Sequence, residues 1–209
     1  MNNLLKKELL NIKGLRVHFN IKGQGVLHAV DGIDLDICQG EILGLVGESG
    51  CGKTVTTLSL LRLIDPPGHI SNGQLNWEGK DLLNLNHKDM RQIRGKEIAM
   101  IFQNPQSSMN PLYSVGSQLV SVIRLHQQIS KEEAKKEAVR LLRLVEIPDP
   151  DRRMNDYPHQ LSGGMCQRIM IAMALSCKPK LLVADEPTAS LDVTIQAQIM
   201  DLLLEIREK

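Results

Sequence analysis

Aromatic residues are nearly absent. Phe19, Trp77, Phe102, Tyr113 and Tyr157 are the five in a chain of 209 residues. A core must then be built from aliphatic side chains, and the aromatic platforms on which single-stranded nucleic acids stack are missing. No C-x-x-C pair occurs among Cys38, Cys51, Cys166 and Cys177, and no histidine stands at zinc-ligand spacing from any of them. That pattern fits reduced thiols in a cytosolic protein. No run approaches the ~18–20 apolar residues of a membrane span. The stretch from Met1 to Leu15 is interrupted by Lys6, Lys7 and Glu8, so it lacks the apolar centre of a secretory signal. An excess of one charge is missing too: 25 Lys and Arg balance 24 Asp and Glu, for a net charge of +1. A local patch aside, nothing draws the chain toward nucleic acid, which is not an expected partner. Repeats and low-complexity linkers are also lacking. What remains, 42% hydrophobic residues at this length, is enough to bury a core and excludes intrinsic disorder.

Periodicity places the elements. Between residues 26 and 37, apolar Ile33, Leu35 and Ile37 alternate with Asp34 and Asp36, which predicts a half-buried strand. After the turn at Gln39-Gly40, the short apolar run Ile42 to Val46 predicts a fully buried strand. Thr54 to Ile64 reads as a helix stopped by Asp65-Pro66-Pro67-Gly68, and Gly73 to Trp77 and Ile98 to Phe102 read as strands. A helix over Lys131 to Val145 opens with a capping box, Ser130 and Glu133, and carries an apolar stripe of Ala134, Ala138, Leu141, Leu142 and Val145. Another helix runs from about Gly164 to Ser176. Leu181 to Ala184 is a buried strand, and Asp192 caps a last helix from Val193. Strands alternating with helices, interrupted by a helical stretch, predict an α/β domain with a helical insertion.

Gly47-Glu48-Ser49-Gly50-Cys51-Gly52-Lys53-Thr54 matches G-x-x-x-x-G-K-[ST]. Glycines let backbone N–H groups close around a phosphate, and the following helix adds its positive end. Lys53 then reaches the β- and γ-phosphates and the Thr54 hydroxyl ligates Mg²⁺. A glycine turn between strand and helix would show the same residues, but the strand before and the helix after are the context the motif requires. Leu181 to Ala184 ends in Asp185-Glu186. Two acids after a strand also suit a turn. With the phosphate loop in the same chain, Asp185 is expected to bind Mg²⁺ and Glu186 to polarise an attacking water, the four apolar residues burying the strand that carries them. Asp65-Pro66-Pro67-Gly68 formally matches the D-x-x-G of GTPases, yet its prolines make it a helix stop. Asn86-His87-Lys88-Asp89 has its lysine at the wrong place for guanine recognition, so GTP specificity is not supported.

Leu161-Ser162-Gly163-Gly164-Met165 opens a helix with a second Gly-rich anion site, although by itself it fits a glycine loop capped by Ser162. Taken with the phosphate loop and the acidic strand end, it resembles the signature of ATP-binding cassette (ABC) ATPases. Gln103 resembles the family's Q-loop glutamine, and Ser190-Leu191-Asp192 its D-loop. Phe19 stands where the family places an adenine-stacking aromatic, or is a strand-end core residue. Phe102 to Pro111, Tyr157 to Met165 and Asp185 to Gln198 are most similar to the oligopeptide/dipeptide importer branch, some of whose members carry nickel or other small solutes. The resemblance implies a P-loop NTPase with a RecA-like parallel core sheet and an antiparallel β subdomain (about 1–103 and 166–209), plus an inserted helical subdomain (104–165). It implies ATP and Mg²⁺ as ligands. Residues 47–54 and Phe19 would bind nucleotide, with Ser162, Gly163, Gly164 and Asp192 acting in trans across a cassette dimer. Glu186 and Gln103 would be catalytic, and Thr54, Gln103 and Asp185 would hold the metal. Implied partners are integral membrane permease subunits met by the loop from Gln103 to Tyr113, a second cassette (identical or different), and indirectly an extracytoplasmic solute-binding protein. The implied place is the cytoplasmic face of the bacterial inner membrane.

Two departures stand out. Cys166 occupies a position where arginine is expected, which predicts a lost surface cation. The family continues past the last helix into a further core strand and a switch histidine. This sequence ends at Lys209, and none of its six histidines follows Glu186. Losing one such donor typically costs roughly 10²–10³-fold in rate. The expectation is a crippled own site and a signature still able to complete the site of an intact partner, with a non-catalytic module or a decayed product as the rival. A soluble ABC ATPase acting on nucleic acid or ribosomes would need basic patches or long insertions, which this near-neutral chain does not offer.

Overall fold

A computed structural model describes residues 7–189 and 191–208. The chain forms two compact units, one ending at Arg91 and one beginning at Gln92. In the first, β1 (Glu8–Ile21), β2 (Gly25–Cys38), β3 (Gly68–Trp77) and β4 (Lys80–Asp81) build an antiparallel sheet of order β2-β1-β3-β4, with α1 (Lys53–Leu60) between β2 and β3 in the chain. β1 is a central strand. Leu10 pairs with Trp77 and Ile12 with Leu75, all four buried. Sequence reading missed β1, and its geometry explains why. The pairing register slips between Ile12 and Leu15, so the buried set moves from Leu10 and Ile12 to Leu15 and Val17. A bulge of this kind breaks the period-two pattern in mid-strand. Gly14 turns there with φ 56°, its N–H donating to Asp34 at 2.6 Å.

A second helix, α2 (His87–Ile93), leads into the second unit. There β5 (Ile98–Ile101) and β6 (Leu181–Ala184) pair in parallel. Between them come α3 (Pro105–Ser108), α4 (Val115–His126), α5 (Lys131–Leu144), α6 (Pro150–Arg153), a 3₁₀ turn at Pro158–Gln160 and α7 (Gly163–Leu175); α8 (Val193–Glu208) follows β6. One aliphatic core runs from Ile101 through Leu119, Ile123, Ala138 and Leu142 to Ile169 and Ile199. The capping box is as expected. Ser130 Oγ accepts from the Glu133 N–H, and the Glu133 carboxylate accepts from the Ser130 N–H at 2.8 Å. The Ser130 hydroxyl also donates to that carboxylate at 2.7 Å, and this bond, followed by the one from the Ser130 N–H, holds the Glu133 carboxyl below the usual range. Ser130→Ala is expected to cost about 1 kcal/mol, read as a lower urea midpoint.

Several expectations are corrected. Ile42 to Val46 forms no strand: residues 41–48 are irregular, and Ile42 and Val46 are 58% and 92% exposed. An apolar run states a need for burial, but a parallel strand gains its ladder only from a neighbour, and this segment has none among the described residues. β6 too is not the buried strand expected: Leu181, Leu182 and Val183 are half-buried and Ala184 is exposed. Cys166 is not a surface position. It is fully buried on α7, whose residues Cys166 to Ala172 are all interior, and its thiol lies 3.5 Å from the Pro158 carbonyl. Burial also pushes that thiol's pKa up. The helix predicted to Ile64 ends at Leu60, because Arg62 turns left-handed (φ 50°) to reach the Leu82 and Leu85 carbonyls. Ser190 and the first six residues, including Lys6 of the N-terminal reading, lie outside the described residues.

Candidate functional site

The phosphate loop belongs to the first unit. Gly50 and Gly52 take φ values of 81° and 98°, open to glycine without strain. Gly52 is the left-handed N-cap of α1 and supplies no side-chain cap, which leaves the positive end of that helix turned to the loop. Space as well as dihedral demands glycine. A Cβ on Gly52 would overlap the Ala29 carbonyl oxygen, and one on Gly47 would lie 2.6 Å from Cys51 Sγ. Lys53 folds back over the loop, its ammonium donating to the carbonyls of Gly47 (2.7 Å) and Glu48 (2.9 Å). Cys51 is exposed, with Sγ 3.9 Å from that ammonium. The residues fit a bound polyphosphate: a compact loop, an uncapped helix start and a cation within reach of both.

In the second unit, β5 and β6 deliver three expected residues to their shared C-terminal end. Parallel strands present ligand-binding side chains there. Gln103 follows β5, and its Nε2 donates to Glu186 Oε2 at 2.6 Å. Asp185 is buried, and its N–H donates to the Ile101 carbonyl at 3.0 Å. Glu186 itself is exposed and left-handed (φ 45°), which turns the chain sharply out of β6. A left-handed non-glycine residue is the kind of local strain that collects at functional sites. The parallel pairing of β5 with β6 thus brings Gln103, Asp185 and Glu186 together.

The signature residues open α7 in the same unit. Ser162 is its N-cap and accepts from the Met165 N–H at 3.3 Å. Gly163 and Gly164 form the first turn, and a Cβ on Gly164 would press on Ile195 at 3.2 Å. Asp192 caps α8, accepting from the Ile195 N–H at 3.0 Å, so the starts of α7 and α8 lie side by side. Two residues that sequence reading passed over secure this corner. Gln196 donates to the carbonyls of Thr188 (3.1 Å) and Leu191 (3.0 Å). Buried Arg168 donates to the Val145 carbonyl, Glu146 and Gln198, each at 2.9 Å. A charged residue inside an otherwise apolar helix is the available signal for Arg168; Gln196 lies within the Asp185 to Gln198 stretch that carries the branch resemblance, with no role of its own assigned there.

Residues 30–189 match the ABC transporter family. The chain belongs to that family. It is 54% identical over 201 residues to the dipeptide transport ATP-binding protein DppD of Haemophilus influenzae, covering 96% of this chain and 61% of that protein. It is 52% identical to the oligopeptide transport ATP-binding protein OppD of Bacillus subtilis, covering 96% of this chain and 56% of that protein. The cassette therefore spans about three-fifths of the length of these relatives. Among solved structures it resembles the ATP-binding cassette MJ0796 in a dimeric, post-hydrolysis state bound to ADP and phosphate, with a TM-score of 0.85, 28% identity, and coverage of 96% of this chain and 83% of that one.

Two further parts of the cassette differ in their surroundings. Phe19 is half-buried on β1 opposite Gly68, and a Cβ on that glycine would meet its ring at 2.5 Å. In the loop after α3, Leu112 and Tyr113 are 79% and 58% exposed. Among the described residues no helix is long and apolar enough to cross a membrane.

Proposed function

We propose that this cassette is the ATP-binding subunit of an importer for dipeptides, oligopeptides or related small solutes. The observation that carries the reading is the hydrogen bond of Gln103 to Glu186 beside buried Asp185, in a chain half identical to DppD and OppD. The residues of the phosphate loop, Gly47 to Thr54, hold the phosphates of ATP, with Lys53 exchanging its two loop carbonyls for phosphate oxygens. Phe19 stacks on adenine. Mg²⁺, when bound, would neutralise charge at the phosphates, and the residues that the family resemblance would have hold it are Thr54 through its hydroxyl, Asp185, and Gln103 through its amide oxygen. Glu186 accepts a proton from the attacking water, and Gln103 keeps its carboxylate oriented. Ser162, Gly163, Gly164 and Asp192 act on the nucleotide of a second cassette, identical or different. Exposed Leu112 and Tyr113 suit a docking contact with an integral membrane permease, at the cytoplasmic face of the inner membrane, and an extracytoplasmic binding protein delivers the solute. Residues 104–165 form the helical arm that carries this contact.

The test is equilibrium binding of a fluorescent ATP analogue, joined to co-purification with the permease subunits of a peptide importer. Saturable binding lost in Lys53→Ala, and capture of the permease weakened by Leu112→Ser with Tyr113→Ser, are expected. A folded chain that binds no ATP, or binds it equally well without Lys53, would overturn the reading. Cys51 gives an independent check. Its exposed thiol sits inside the loop, so alkylation is expected to block nucleotide binding. Saturating ATP should slow Cys51 labelling by at least about tenfold, the fraction left free at tenfold excess over Kd, as read by mass spectrometry.

A further inference from the structure

Three histidines from three adjacent strands form one row. His28 of β2 and His69 of β3 are both register partners of His18 on β1. The His18 and His28 ring centroids are 4.2 Å apart, and those of His18 and His69 are 6.2 Å apart. His18 is half-buried between its exposed neighbours, and its Nε2 is buried without a hydrogen-bond partner among the described residues. Buried polar nitrogens are nearly always partnered, so this atom asks for a ligand.

We propose that His18 and His28 chelate a divalent transition-metal ion of the imidazole-preferring class, with His69 closing on it from the other side. Two nitrogens bound to one such ion at 2.0–2.1 Å stand about 3.3 Å apart in tetrahedral geometry. Residues directly opposite on neighbouring strands hold their Cβ atoms about 4.5–5.5 Å apart, so side-chain rotation alone brings the two rings to that spacing. No backbone change is needed. Among the described residues no group of three His, Cys, Asp or Glu side chains is placed to hold a metal ion as the structure stands. The chelate therefore rests on the His18–His28 pair, with water in the open positions and His69, whose ring centroid is 6.2 Å from that of His18, joining only by turning its side chain. Asp31 is occupied by the Arg16 guanidinium, so the donor set is imidazole. That selects Zn²⁺, Ni²⁺ or Cu²⁺ over Mg²⁺ or Ca²⁺. Burial, followed by the neighbouring His28 and His69, holds the His18 pKa below the ordinary imidazole value, with Asp31 opposing and Arg16 adding slightly. The row lies apart from the phosphate loop in sequence and involves none of its residues.

The probe is Ni²⁺ alone, titrated calorimetrically into the tag-free 209-residue chain, because Ni²⁺ suits imidazole and soft thiolates favour other metals. One saturable equivalent is expected, lost in His18→Asn and in His28→Asn, and weakened in His69→Asn. Mg²⁺ should give no heat. A second measurement needs no variant: paramagnetic Ni²⁺ should broaden the imidazole proton resonances of His18 and His28 in the unaltered chain and leave His87 and His159 sharp. Binding that survives loss of both His18 and His28, no saturable binding at all, or broadening spread equally over every histidine would overturn the proposal.

Discussion

Under the proposed function, Glu186→Gln is expected to lower the ATP turnover of the cassette's own site, however slow that turnover is, by roughly 10²–10⁴-fold, the usual contribution of a positioned general base, while ATP binding persists. The substitution keeps the side chain's size and its hydrogen bond to Gln103 in outline but removes the charge that accepts a proton. Glu186 is exposed at the turn after β6, and Gln103 reaches it at 2.6 Å. Neither residue contributes to the phosphate loop, which lies in the other unit. Binding and turnover should therefore separate. Single-turnover hydrolysis measured beside nucleotide affinity distinguishes the outcomes: equal loss of both would mean that Glu186 supports the fold or the nucleotide rather than the chemistry. Gln103→Ala is the companion variant. A positioning role predicts a smaller fall in turnover than Glu186→Gln causes, with the fold of the chain unchanged. Unchanged turnover in Glu186→Gln would remove the carboxylate from the mechanism.

Gly52→Ala should abolish nucleotide binding and destabilise the chain by about 2–5 kcal/mol, because two costs add. An L-residue in the left-handed region loses roughly 1–2 kcal/mol, and Gly52 has φ 98°. The new methyl would then overlap the Ala29 carbonyl oxygen, and relieving such a clash by backbone shift costs typically about 1–3 kcal/mol. The shift falls on the loop itself, displacing the start of α1. Gly50→Ala is the control. Gly50 has φ 81°, but nothing stands within 4 Å of a Cβ there, so only the conformational cost applies. A thermal midpoint lowered much more by Gly52→Ala than by Gly50→Ala would show that crowding against Ala29 matters. Equal effects would assign the whole cost to the dihedral.

The chemistry was legible because its signals are local. The phosphate loop needs glycines at fixed offsets and a helix directly after, and both are written in consecutive residues. Ser130 with Glu133, Ser162 before α7 and Asp192 before α8 are caps whose partners lie within three residues. Asp185 and Glu186 were found by their place at the end of an apolar strand. Gln103 and Glu186, 83 residues apart, were joined only through resemblance to the ABC family, since no periodicity links them.

The failures share a cause. β1 was missed because the bulge near Gly14 changes which residues face the core in mid-strand, and a reading that counts alternation loses phase there. Ile42 to Val46 was placed in a sheet because it is apolar, yet sheet membership depends on an accepting neighbour. Cys166 was put on the surface from what usually stands there, whereas the face of α7 that is buried is set by α4, α5 and α8 around it. By itself, then, the sequence determined the phosphate loop, the acidic strand end, the caps and the family, because each rests on residue type at short spacing. Only the tertiary structure decided which strands pair, which helix faces are interior, that Gln103 touches Glu186, and that His18, His28 and His69 stand in one row. Those relations are distances through space, and the chain's local order does not encode them.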